Sequence, residues 1–297
     1  MSPLASLCLL CALLVPLAAG CRRPPPDGSA PPAEPSVFGA GTFSTGAEEY
    51  RITFTPDGKT AYFARGAQFF PLSRQATIMV SHRAGDTWST PVVATFSGTY
   101  PDIDPFVTPD GQRLFFSSIR PVGGQARRDL DLWMLERRPD GQWGDPIHLG
   151  AAVNSESDEL YPSVAADGTL LFGSDRPGGL GGWDIYHASR SPDGTYTAAS
   201  NVGAPINSVH WEFNPAIAAD GQTLVFTSLN RPGGRGLGDL YQSRRVSGAW
   251  EEPRPLEAQV NTPDDEFHPS LSPDGLILYF VRRAARSQGD LWWTTWR

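Results

Sequence analysis

A chain of 297 residues with 40% hydrophobic and 11% aromatic side chains holds enough apolar material for one large domain or two ordinary ones. Its formal net charge is −8 and Lys59 is the single lysine among 24 basic residues; without a basic cluster to follow a phosphate backbone, nucleic acid is excluded as a main partner. Thirty-one glycines, 28 prolines and no sustained 3.6-residue periodicity exclude a helical bundle and favour many short strands joined by tight turns.

The first predicted element is the apolar run Leu4 to Ala19, which falls short of the roughly 20 residues that a spanning helix needs. It ends in the small residues Ala18-Ala19-Gly20 and reads as a signal peptide over residues 1–20. With Cys21 it forms LAAGC, which resembles the lipobox of bacterial lipoproteins. That resemblance implies lipid attachment at Cys21 and, because Arg22 rather than Asp follows, an outer-membrane location facing the periplasm or the cell surface. An ordinary cleaved signal and an uncleaved anchor remain the alternatives. Cys8, Cys11 and Cys21 are the only cysteines, so a mature domain has no internal disulfide. Residues 21–35 are proline-rich and predict an extended tether, which would hold a domain spanning 36–297 away from a membrane surface.

From residue 36 onward the chain repeats itself. Asp-Gly pairs fall at 57/58, 110/111, 167/168, 220/221 and 274/275, a spacing of 53 to 57 residues that signals a repeat architecture. In the best-defined copy, Phe213 to Ala218 predicts an inner strand, Ala219-Asp220-Gly221 a turn, and Thr223 to Ser228 a second strand. The glycine-rich loop Arg231 to Gly238 leads to a third strand opening Asp239-Leu240-Tyr241, and Trp250 to Leu256 predicts a fourth. The third strand opens similarly at Asp131, Asp184 and Asp290, where the acid is expected to bond nearby backbone or Arg. The last copy stops at Arg297 without a fourth strand, and Pro35 to Ser44 (PSVFGAGTFS) supplies a matching one. Pairing the two ends closes a ring and removes both edges. The prediction is therefore an all-β, single five-bladed β-propeller of four-stranded antiparallel blades, closed by an N-terminal strand on the C-terminal blade.

The patterns VNTPDDEFHPSLSPDG and SDRPGGLGGWDIY resemble the WD-repeat-like β-propeller repeats of TolB-type bacterial envelope proteins across Val37 to Arg297. The resemblance implies a propeller in the cell envelope that binds other molecules. It does not imply an enzyme, because fold alone assigns no function.

Eight residues before each turn Asp stands an acid: Glu49, Asp102, Glu159, Glu212 and Glu266. The repeat symmetry predicts that all five approach one mouth of the central channel. Two unit charges about 4 Å apart cost roughly 4 kcal/mol at an effective dielectric near 20, so such a ring needs neutralising. Arg65, Arg120, Arg176, Arg231 and Arg282 (or Arg283) follow the second strands and predict a ring of ion pairs tying adjacent blades. A ligand or cation on the ring is the alternative; calcium would need six or more oxygens with the Arg side chains turned away. No metal or other cofactor is expected, since the histidines lack ligand spacing. The glycine-rich loops lack the Gly-Lys-Ser/Thr ending of a phosphate loop.

Two stretches break the symmetry. The loop Gly66 to Gln75 carries Phe69, Phe70 and Arg74, and predicts exposed aromatic and Arg contacts for a partner, with a Phe pair folded onto the propeller as the alternative. Gln125 to Asp129 departs locally as well. Together these features predict an envelope-anchored, monomeric, protein-binding or scaffolding module without catalysis. The alternative is a glycan-binding or glycoside-cleaving propeller, possessing two or three carboxylates about a sugar bond. Envelope proteins, with a glycan or peptidoglycan-associated ligand as an option, and the membrane through the N-terminal lipid are the expected partners.

Overall fold

The computed structural model describes residues 31–285 and 287–296. The signal segment, Cys21 and most of the tether lie outside the described residues. The rest forms five antiparallel sheets, one per repeat.

Blade 1 comprises Glu48–Phe54, Thr60–Gly66 and Thr77–Ala84, with the outer pieces Thr87–Trp88 and Val92–Val93. Blade 2 is Asp102–Val107, Arg113–Ser118, Asp131–Glu136 and Ile147–His148. Blade 3 is Glu159–Val164, Leu170–Ser174, Asp184–Ala188 and Ser200–Asn201. Blade 4 is Trp211–Ile217, Thr223–Leu229 and Gly238–Val246, with Ala249–Trp250 and Arg254–Pro255 outside. Blade 5 joins Asp265–Leu271, Ile277–Arg283 and Asp290–Thr295 to the N-terminal Ser36–Val37. Each inner strand packs on the inner strand of the next blade, and the fifth packs on the first, so the ring is closed.

The Asp-Gly turns form as their chemistry demands. Asp57 Oδ1 accepts from Thr55 Oγ1 at 2.6 Å and from Lys59 N at 3.0 Å, while Gly58 takes φ +68°, a region costly for residues with a Cβ. The closing strand is shorter than predicted. Ser36 pairs with Trp293 and Val37 with Trp292, and Phe38 N then donates to Leu291 O at 2.8 Å. Ser44 Oγ extends the seam by contacting both Leu291 O and Leu291 N at 3.0 Å.

The fourth strands differ from the expectation of one continuous run. In blade 4, Trp250 pairs with Arg245 as the end of a hairpin, and only Arg254–Pro255 pairs with the body of the third strand. Trp143 and Tyr196 make single bridges in the same way. The outer strand spans the widest part of the blade, where twist separates it from its neighbour, so the aromatic and the paired segment become distinct pieces.

Packing follows the repeat too. Apolar side chains gather in five clusters rather than one central core, four filled from two neighbouring blades and one from blades 1 and 2 with Leu160 of blade 3. Phe38 at the seam touches Phe43, Phe54, Tyr279 and Trp293 with ring centroids 5.0 to 6.2 Å apart. No helix among the described residues is long and apolar enough to cross a membrane.

Candidate functional site

The five repeated acids are fully buried, each beside its own blade's arginine. The pairs are Glu49–Arg65 at 3.1 Å, Asp102–Arg120 at 2.7 Å, Glu159–Arg176 at 2.8 Å, Glu212–Arg231 at 3.5 Å and Glu266–Arg282 at 2.9 Å. Arg282, not Arg283, completes the fifth pair. Glu159 shows the full unit: it accepts from Ser155 N and Oγ at 2.8 and 2.7 Å and from Ser174 Oγ at 2.8 Å. Its partner Arg176 also donates to Val153 O, at the end of the preceding blade. The unit therefore fastens the interblade segment. Burial lifts the Glu49 and Glu159 carboxyls above their ordinary range and Glu266 to about 7, against the hydroxyl and Arg contacts that favour the charged form.

These acids do not converge on the channel, contrary to the expectation from repeat symmetry. Strand alternation explains why. The residues on either side of the acids line a cavity of about 550 Å³ at that end of the ring: Glu48 and Tyr50, Asp158 and Leu160, Trp211 and Phe213, Asp265 and Phe267. A second cavity, of about 480 Å³, lies among the Asp-Gly turns at the opposite end.

Between the cavities, every inner strand slips register at the same place, two residues after its acid. The residues there are Arg51, Asp104, Tyr161, Asn214 and His268, different in every copy. Four of them precede proline and take positive φ: 56° at Asp104, 65° at Tyr161, 51° at Asn214 and 50° at His268. A residue before proline is ordinarily confined to the extended region, so this is backbone strain concentrated on one level of the channel.

These five side chains meet across the axis. Arg51, fully buried, donates to Pro162 O at 2.9 Å and Pro215 O at 3.0 Å, tying blade 1 to blades 3 and 4. Burial lowers its pKa to about 10, with the Asp104 charge opposing. His268 Nδ1 lies 3.0 Å from Asp104 Oδ1 and 3.2 Å from Asn214 Nδ2, and the rings of Tyr50 and Tyr161 stand 5.5 Å away, edge to face. The sequence signal is an X-Pro in four of the five copies whose X varies, equally spaced like the acids but without a repeated residue type to mark it.

Above this floor the larger cavity has an aromatic wall. Trp183, Tyr161, Phe213 and Phe267 follow one another with centroids 5.7 to 6.2 Å apart. The loop after the second strand of blade 1 covers one side, through a single helical turn, Phe70–Ser73. Of the two expectations for this loop, the folded-in one matches: Phe70 is buried in the core, and half-buried Phe69 lies under the Arg283 guanidinium, which stands 4.3 Å from the ring centroid. The loop folds inward because Tyr50 Oη accepts from Phe70 N at 2.8 Å and donates to Gln68 O at 3.2 Å. Arg74 grips Asp158 with two bonds of 2.8 Å. In Gln125 to Asp129, Gln125, Ala126 and Arg128 are exposed, while Arg127 is bound to Asp129 and, at 3.1 Å, to Asp131.

Among the described residues no group of His, Cys, Asp and Glu side chains is arranged to hold a metal ion. Asp104 is the carboxylate of the channel floor, and Glu48, Asp158, Asp175 and Asp265 line the cavity above it. The geometry offers stacking surfaces and fixed polar groups, the features of a binding cavity.

No family model matches the sequence, and no curated protein sequence does. Solved structures share the fold. TolB from Acinetobacter baumannii is 17% identical with a TM-score of 0.50, matching 84% of this chain and 55% of its own, so this chain spans about half of that protein. The α-L-arabinofuranosidase of Lactobacillus brevis is 13% identical with a TM-score of 0.56, over 88% of this chain and 93% of the other. The native arabinanase of Bacillus subtilis is 12% identical with a TM-score of 0.54, over 84% and 96%.

Proposed function

We propose that this propeller is a non-catalytic binding module, anchored in the cell envelope through Cys21, whose protein partner engages the aromatic cavity at the channel mouth. The observation that carries the reading is the cavity itself: aromatic, concave, and built where the five copies differ. Repeated positions fasten blades together, so selectivity belongs to the positions that break the repeat. Two of the cavity's carboxylates are held in place beside the covering loop, Glu48 by Gly289 N at 3.0 Å and Asp158 by Arg74.

The test is affinity capture by the intact lipoprotein from its own envelope, wild type against Trp211→Ala and Phe213→Ala. A partner retained by wild type and lost with both variants supports the reading. Equal retention by all three refutes it. Cys21→Ser should release the protein from membranes, and unchanged membrane association would refute the lipid anchor.

A second reading is favoured by the aromatic wall together with the fold shared with an arabinofuranosidase and an arabinanase: a glycan-binding or glycan-cleaving site. Release of arabinose from arabinan oligosaccharides, abolished by Asp104→Asn, would establish it.

A further inference from the structure

The charge around the cavity is unequal. Four carboxylates line it, from Glu48, Asp158, Asp175 and Asp265, against two guanidiniums, from Arg74 and Arg283. Both guanidiniums are engaged: Arg74 holds Asp158 in a fork, and Arg283 lies on the Phe69 ring, 3.5 Å from Glu48. Among the described residues neither Asp175 nor Asp265 forms an ion pair, although the Arg74 charge reaches Asp175 and Arg283 stands across the sheet from Asp265. Asp175 uses one oxygen to accept from Asp158 N at 2.9 Å, and Asp265 uses one to accept from Leu237 N and Gly238 N, both at 3.1 Å. Among the described residues, the second oxygen of each accepts no hydrogen bond.

Asp175 follows the second strand of blade 3, and Asp265 opens the inner strand of blade 5. Blade 4 separates them and contributes Trp211 and Phe213. The wall from Trp183 through Tyr161 and Phe213 to Phe267 therefore runs between two unpaired carboxylates. Aromatic faces carry negative quadrupole potential, and with flanking carboxylates they form a place for a desolvated cation. An anionic ligand would meet the same two charges with no free guanidinium to receive it. A neutral ligand would leave both unpaired on association.

We propose that the cavity takes the cationic side chain, lysine or arginine, of a partner peptide, held between Asp175 and Asp265 on the aromatic wall. This rests on the binding-module reading above and names the chemistry its partner must present. The surroundings suit a peptide rather than a free amine. Leu72 and Val209 are more than four-fifths exposed and Trp211 and Leu237 about half exposed, on loops and a strand end at this same mouth. They offer apolar contact to residues flanking the charge. Burial, with Asp158's charge adding to it, holds the Asp175 carboxyl above its ordinary range, and a bound cation relieves that cost.

The experiment is calorimetric titration of the full chain with three acetylated, amidated heptapeptides that share leucine and glycine flanks. They differ only at the centre: lysine, norleucine or glutamate. The lysine peptide is expected to bind at least tenfold more tightly than the norleucine peptide, with no measurable binding of the glutamate peptide. Asp175→Asn and Asp265→Asn, which keep the backbone-accepting oxygen, should each erase most of that preference while circular dichroism stays unchanged. Equal affinity for lysine and norleucine, tighter binding of glutamate, or no binding of the lysine peptide overturns the proposal. The two readings fail separately. A partner lost with Trp211→Ala while no lysine preference exists removes only the cation; a lysine preference with the envelope partner retained by Trp211→Ala removes only the assignment of that partner to this mouth.

Discussion

Arg51→Met is expected to be among the most damaging single changes in the chain. The substitution roughly conserves side-chain length but removes both donors, leaving Pro162 O and Pro215 O inside the channel without them. An orphaned buried carbonyl costs about 1–3 kcal/mol. Asp104, fully buried with its Oδ atoms accepting no hydrogen bond among the described residues, loses the positive charge nearby. No ion pair joins Arg51 to Asp104 among the described residues, and His268 stays 3.0 Å from Asp104, so this longer-range loss adds to the cost of the two carbonyls without dominating it. Even with the methionine recovering some packing, the expected loss is about 4 kcal/mol. Urea unfolding at pH 7, followed by tryptophan fluorescence, measures it as a lower midpoint at constant slope. Asp104→Asn removes the other charge, so Arg51→Met/Asp104→Asn should be more stable than the sum of the single losses by about 1–3 kcal/mol. Single losses that add within roughly 0.5 kcal/mol would refute a coupled Arg51–Asp104 pair.

Two further outcomes follow from the same geometry. Phe38→Ala empties the centre of the seam cluster and should cost about 3–5 kcal/mol in urea unfolding, with self-association as the last blade's edge is freed; a loss below about 1 kcal/mol and a monomeric product would contradict closure by the N-terminal strand. Glu266 is held near 7 in the fold against an ordinary 4.5, so the folded chain keeps a proton that the unfolded chain releases. Its contribution is fully present below about 4.5 and is lost as pH rises through 7, a difference on the order of 3 kcal/mol. Glu266→Gln should flatten the pH dependence of unfolding across that window, and an unchanged slope would refute the assignment.

Five blades were legible in the sequence because a propeller is built from local rules. The Asp-Gly turns, the β-branched and aromatic second strands and the 53 to 57 residue spacing each act within one repeat, and five copies amplify the signal. Even closure was legible, since an end without a fourth strand and a spare strand at the other end specify one pairing. What faced the channel was not. Strand alternation places Glu266 and its neighbours Asp265 and Phe267 on opposite sides, and the sequence does not say which side meets the axis. The register slip at Arg51, Asp104, Tyr161, Asn214 and His268 then turns those residues inward, and only the closed ring brings five such positions from distant repeats into contact. Likewise, the sequence left Phe70 and Arg74 between a protruding contact loop and one folded onto the propeller, and only the contacts with Tyr50 and, on another blade, Asp158 decide for the cavity. The repeated residues fixed the scaffold by local chemistry; the unrepeated ones acquired a shared surface only through tertiary closure.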